Sequence, residues 1–170
     1  YGYTHVELAF GNDGLRFLLD DMEVTANDKT YASEDVKSAV HAGNEAYYNF
    51  DVDELNQSEM TEIISYAKGK GIGIIPMFDA PGHLQAVIRA MQTLEISMVE
   101  NTDYCRATKS GTSYNWALIP TNVEGNNFVQ ELVQKYINYF KNQGCTMFNI
   151  AADECGFSRD DKTASTTGWN

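Results

Sequence analysis

Apolar positions recur with two different periods along this chain, and the switches between them outline its elements. In THVELAF (Thr4–Phe10), Val6, Leu8 and Phe10 fall on every second residue, which predicts a strand that breaks at GNDG. Ser33 stands where it would cap a short helix carrying Val36 and Val40. Asn56 and Glu59 have capping-box spacing, and Met60, Ile63, Ile64 and Ala67 follow at helical intervals until Gly69 and Gly71 stop the run. GIGIIPMF (Gly71–Phe78) reads as a buried strand ending in DAPGH, and Leu84, Val87, Ile88 and Met91 form the next helical stripe. The longest predicted helix runs from Asn127 to Lys141, with Val129, Leu132, Val133, Tyr136, Ile137 and Phe140 on one face. Gly144 suits its C-terminus, and TMFNIA (Thr146–Ala151) is the last predicted strand. The stretch from Asn101 to Thr121 has no period and reads as a long loop, and the tail from Ser158 to Asn170 shows no element.

The unit of helix, glycine turn, apolar strand and polar tip occurs twice, at Asn56–His83 and Asn127–Glu154. Such repetition predicts an α/β fold with a parallel sheet covered by helices. Three strands with two crossovers do not close a (β/α)8 barrel, which usually takes about 250 residues. A three-stranded piece of one leaves two edges unpaired and one sheet face uncovered. The expectation is therefore a part of a larger protein. The opening Tyr1 in place of Met, with a strand a few residues on, fits a chain cut at its N-terminus.

Composition narrows the possible partners. Of 170 residues, 43% are hydrophobic, enough for a core, and the net charge is −12. A sequence pI near 4.5 argues against nucleic acid or an anionic membrane surface as a partner, since both need clustered Lys and Arg. No run of about 18 apolar residues offers a membrane span. Cys105, Cys145 and Cys155 are odd in number and lack CxxC spacing, so each is expected to be a buried free thiol.

The chemistry lies at the strand tips: GNDG (Gly11–Gly14), DAPGH (Asp79–His83) and ADE (Ala152–Glu154). Ligands bind at the C-terminal ends of strands in parallel α/β folds. Carboxylates facing one another and an imidazole push pKa values apart, so that one acid stays protonated and donates to a leaving group. The bland reading has Asp153–Glu154 as a solvated loop and Asp79–His83 as a turn-fixing pair. In that reading Gly14 and Gly82 simply permit backbone angles closed to other residues. Asp153 and Glu154 are adjacent, which fits poorly with two carboxyls flanking a sugar about 5–9.5 Å apart. A division of labour suits them better: one acid protonates the leaving oxygen, and its neighbour steers a group of the substrate.

These residues resemble the family-20 glycoside hydrolases, the β-N-acetylhexosaminidases. The likeness is greatest to modules of surface exo-β-N-acetylglucosaminidases of Gram-positive bacteria. It rests on Val6–Met22, Tyr31–Val40, Met60–His83 and Tyr139–Glu154, with the PGH and DE tips its more specific marks. The resemblance implies a (β/α)8 (TIM) barrel, of which residues 1–170 form a partial catalytic domain, about strands 2 to 4 with their helices. It implies substrate-assisted retaining hydrolysis of terminal β-linked N-acetylhexosamine from glycans, without a metal or other cofactor. By resemblance, Glu154 is the general acid and base, and Asp153 orients the acetamide. Asp79, His83 and Asp13 form the supporting network, and Arg16 is a weaker, substrate-binding match. An extracellular or cell-surface location is implied as well, with the rest of the barrel as partner.

The chain also departs from the family pattern. Met77 stands where many members have Glu, and Ala151–Ala152 replace the commoner glycines, a change expected to affect only backbone tightness. The arginine that grips sugar hydroxyls, the acetamide tyrosine and the tryptophan walls belong to strands this chain does not match. Trp116 and Trp169 fall in predicted loops and take none of those roles. Two other readings compete. One is a catalytically inactive barrel fragment with a glycan-binding or structural role. The other is a metal-dependent hydrolase using Asp79, His83, Asp153 and Glu154 as ligands.

Overall fold

The alternating N-terminal run forms β1 (His5–Asn12), which ends two residues beyond Phe10. In this computed structural model the described residues are 2–49, 51, 53–96, 104–109, 112–118 and 121–153. A two-residue strand β2 (Gly14–Leu15) folds back antiparallel on the end of β1. The next two strands make a hairpin that the apolar pattern did not announce: β3 (Val24–Ala26) and β4 (Lys29–Tyr31). Asn27 and Asp28 turn it with φ of 54° and 58°, the left-handed pair that a two-residue hairpin requires.

Helix α1 (Ser33–Tyr48) is not short, and Ser33 does not cap it. Ala32 holds the cap position without a side-chain bond, while Ser33 Oγ accepts from the Met22 N–H. Helix α2 (Gln57–Gly69) carries the expected capping box: Asn56 and Glu59 each accept from the other's backbone N–H. Met60 and Ile64 are buried on this helix, but Ile63 lies exposed at the margin of the stripe. Strand β5 (Gly73–Phe78) then runs parallel to β1.

Helix α3 (Gln85–Thr93) buries the predicted stripe of Val87, Ile88 and Met91. The expected long loop is instead largely a hairpin of β6 (Tyr104–Lys109) and β7 (Thr112–Leu118). Helix α4 (Val123–Asn142) starts earlier than its apolar stripe, because the Asn122 side chain accepts from the Gly125 N–H and satisfies its first turn. Gly144 follows its end at φ 87°, as a C-terminal glycine should.

The central sheet has the order β2–β1–β5, extended by Met77 pairing in parallel with Asn149. The predicted strand Thr146–Ala151 is thus reduced to one bridge. Among the described residues it has β5 on one side and nothing on the other, so no second ladder straightens it. The helical side of the sheet holds the core, where Phe10, Phe17, Phe78, Tyr136 and Phe140 meet with ring centroids 4.8–6.0 Å apart. Across the opposite face Glu7 and Ala9 are exposed and Ile75 and Met77 half-buried, the uncovered face expected of a barrel segment.

Candidate active site

Strands β1 and β5 are parallel, so their C-terminal tips lie at one end of the sheet. A bulge at Phe10 lets Gly11 face Phe78, and a Cβ at Gly11 would come within 2.7 Å of the Phe78 ring. That close approach carries the chain from Gly11 to Asp13 over the end of β5. There the Asp79 N–H donates to the Gly11 carbonyl at 2.7 Å, and the Ala80 N–H donates to the Ile150 carbonyl at 3.3 Å. Asp79 therefore sits between the tips of β1 and the Asn149 segment.

The Asp79 carboxyl is fully buried. One oxygen accepts from the Asp153 N–H at 3.2 Å and the other from Asn12 Nδ2 at 3.4 Å. Burial pushes this carboxyl above its ordinary range. The Asp153 N–H and the His83 imidazole pull it down, and the nearby Asp153 and Asp13 carboxylates push it up again. Asp79, His83 and Asp153 each present an atom within 4.8 Å of the others. Asp13 completes the group, its Oδ2 lying 3.2 Å from His83 Nδ1.

Backbone bonds zip the two loops together: the Asp13 N–H donates to the His83 carbonyl at 2.6 Å, and the Ala86 N–H donates to the Asp13 carbonyl at 2.8 Å. The left-handed angles here fall on Asp13 (φ 57°) and His83 (φ 47°), not on the neighbouring Gly14 and Gly82. Asp and His are among the side chains that tolerate this region best. A Cβ at Gly14 would meet the outer end of the Tyr48 ring, which would have to shift. Ala151 and Ala152 also take left-handed backbone, at φ 50° and 57°, so the alanine pair carries strain of about 1–2 kcal/mol per residue that glycines would not.

The sequence-predicted residues thus divide. Asp13, Asp79, His83 and Asp153 come together. Arg16 stands apart, exposed, with Nε donating to the Tyr48 hydroxyl at 2.8 Å and its guanidinium 4.3 Å from that ring's centroid. Glu154 lies outside the described residues, as do Cys155 and Trp169. Cys145 is a free, half-buried thiol, and burial raises its pKa.

Other residues of the site had gone unread. Trp116 is on β7, and its ring meets His83 edge-on with centroids 5.7 Å apart. Its strand braces the histidine loop: the Leu84 N–H donates to the Trp116 carbonyl, and the Leu118 N–H to that of Pro81. The alternation of Tyr114, Trp116 and Leu118 was the available signal. Asn44, fully buried on α1, pairs through its amide with both the N–H and the carbonyl of Leu15, at 2.8 and 2.7 Å, and so anchors β2. Tyr47 and Gln85 both reach the Asp13 carboxylate. No sequence period marks a polar side chain that bonds across the fold.

Parallel strands whose C-terminal tips gather Asp13, Asp79 and Asp153 around an imidazole define the α/β class. The chain belongs to glycosyl hydrolase family 20: the model of the family's catalytic domain matches residues 22–169. Its fold is a segment of a (β/α)8 barrel, without a closed sheet among the described residues. Two solved structures of pneumococcal StrH, an exo-β-D-N-acetylglucosaminidase with tandem GH20 catalytic modules, are each 44% identical to it with TM-score 0.79. They cover 90% and 89% of this chain, which spans 35% of each of theirs. A Vibrio harveyi GH20 exo-β-N-acetylglucosaminidase, 18% identical over 80% of this chain and 21% of its own, shares the fold at TM-score 0.52. Among the described residues no helix is long and apolar enough to cross a membrane.

Proposed function

We propose that residues 1–170 are the acid-bearing part of a β-N-acetylhexosaminidase catalytic domain, acting on terminal β-linked N-acetylhexosamine of glycans. Glu154 donates a proton to the glycosidic oxygen as the substrate's acetamide oxygen attacks the anomeric carbon and the leaving group departs. Asp153 accepts from the acetamide N–H and stabilises the positive charge of the oxazolinium ring. The ionised Glu154 then takes a proton from water, which opens the ring with net retention. Asp79 and His83, with Asp13 behind them, fix the electrostatics around the acid, and Arg16 is a rim contact for sugar hydroxyls. The rest of a barrel supplies the remaining pocket walls, and the protein acts outside the cell or at its surface.

The observation that carries this reading is the meeting of Asp13, Asp79, His83 and Asp153 at one end of the sheet, immediately before position 154. The 44% identity to StrH supports the substrate class, since one of its structures is described in terms of N-glycan recognition and hydrolysis. Hydrolysis of a chromogenic N-acetyl-β-glucosaminide tests it. Glu154→Gln should lower kcat/KM by about 10²–10⁴-fold, the usual contribution of a general acid. Equal turnover by that variant removes Glu154 from its role. A folded chain that binds N-acetylglucosamine and hydrolyses nothing points to the inactive, glycan-binding fragment.

The spacing of Asp79, His83 and Asp153 also suits a divalent cation, which favours a metal-dependent hydrolase as the second reading. Turnover that survives exhaustive chelation excludes it.

A further inference from the structure

The supporting network has an outer layer that the family resemblance did not supply. Gln85 Nε2 donates to Asp13 Oδ1 at 3.1 Å, and the Tyr47 hydroxyl donates to Asp13 Oδ2 at 3.3 Å. That same Oδ2 lies 3.2 Å from His83 Nδ1. Asp13 is therefore gripped on both oxygens by two side chains that come from different helices, α1 and α3.

We propose that Tyr47 and Gln85 are positioning residues for the site, fixing the Asp13 carboxylate so that it sets the orientation and tautomer of the His83 ring. This inference rests on the function proposed above.

Gln85 holds Oδ1 and so blocks rotation of the carboxylate, which keeps Oδ2 on the imidazole. With Nδ1–H given to Asp13, Nε2 is the acceptor nitrogen of the neutral ring. Tyr47 donates to the same oxygen that His83 uses, so it holds that oxygen in place beside the imidazole. Burial raises the Tyr47 pKa, and the Asp13 charge raises it further, so the phenol stays protonated and remains a donor. The two helices are locked together where the clamp is built: Gly43 of α1 lies against the Ala86 carbonyl, one residue from Gln85. Among the described residues, the titratable groups around His83 include Asp13 from the β1–β2 turn, Asp79 after β5, Asp153 after the Asn149 segment, and Tyr47 from α1, with Arg16 acting on Tyr47.

The test is the nitrogen NMR signature of the His83 ring at one fixed pH in the full chain, for wild type, Tyr47→Phe and Gln85→Met, alongside kcat and KM. Losing either donor lets the Asp13 carboxylate turn away from the imidazole, so the Nδ1–H tautomer that dominates in wild type should give way to a mixture of tautomers in both variants. KM should change less than about twofold while kcat falls about 3–10-fold, well below the roughly 10²–10⁴-fold of a general acid or base itself. A wild-type ring signature in both folded variants overturns the proposal. If the wild-type chain hydrolyses nothing, the functional reading fails, yet the His83 ring signature still decides the clamp.

Discussion

Asp79 shows how one side chain records the purpose of its surroundings. A fully buried carboxyl whose proton is held more tightly in the folded state than in the unfolded one contributes stability at low pH. That contribution is fully present below the ordinary carboxylate value of 3.8 and is lost as pH rises through the raised value. Asp79→Asn removes the titration and keeps an oxygen for the Asp153 N–H. The variant should therefore gain stability relative to wild type as pH is raised above about 4, the usual carboxylate range. Urea unfolding of both proteins from pH 3.5 to 8 reads this, and a stability difference that stays flat across that range contradicts it.

At the scale of elements, α1 does more than cover the sheet. Over one turn it presents Asn44 to Leu15, Tyr47 to Asp13 and Tyr48 to Arg16, so a single helix face fixes the whole β1–β2 turn. Its position depends on Gly43, where a Cβ would collide with the Ala86 carbonyl oxygen of α3. Backbone cannot yield as a side-chain tip can. Gly43→Ala should destabilise the fold by about 1–3 kcal/mol, the usual cost of overpacking, and should also lower kcat by loosening the Tyr47–Asp13–Gln85 clamp. Denaturant unfolding with parallel kinetics checks this. Wild-type stability in the variant means the helices do not approach as closely as the structure has them.

Across the whole molecule, the aromatic cluster joins β1, β5 and α4. Tyr136 of α4 is its hub: fully buried, it packs against Phe10, Phe17 and Phe78 and donates to the Phe17 carbonyl at 2.6 Å. Burial keeps its phenol far above the usual pKa, so it acts only as a neutral donor. Tyr136→Phe leaves that buried carbonyl unpaired and should cost about 1–3 kcal/mol. If the cluster unites the fold, the variant's unfolding midpoint drops with an unchanged slope in denaturant. A second transition would instead show that the α4 unit unfolds separately.

The sequence by itself determined α1 to α4 and the parallel strands β1 and β5, because apolar periodicity is a local property of the chain. Asn56 and Glu59 announced their capping box, and GIGIIPMF its strand. Tertiary structure decided what depends on distant partners. Residues Thr146–Ala151 pair at a single bridge, the stretch read as a long loop folds into β6 and β7 to brace His83, and Ser33 gives its hydroxyl to Met22 and not to its own helix. It also moved the left-handed backbone from Gly14 and Gly82 onto Asp13 and His83. Those outcomes come from hydrogen bonds that reach past neighbouring residues, 11 positions for Met22 and Ser33 and 70 for Asp13 and His83, and no local pattern of apolar and polar residues encodes them.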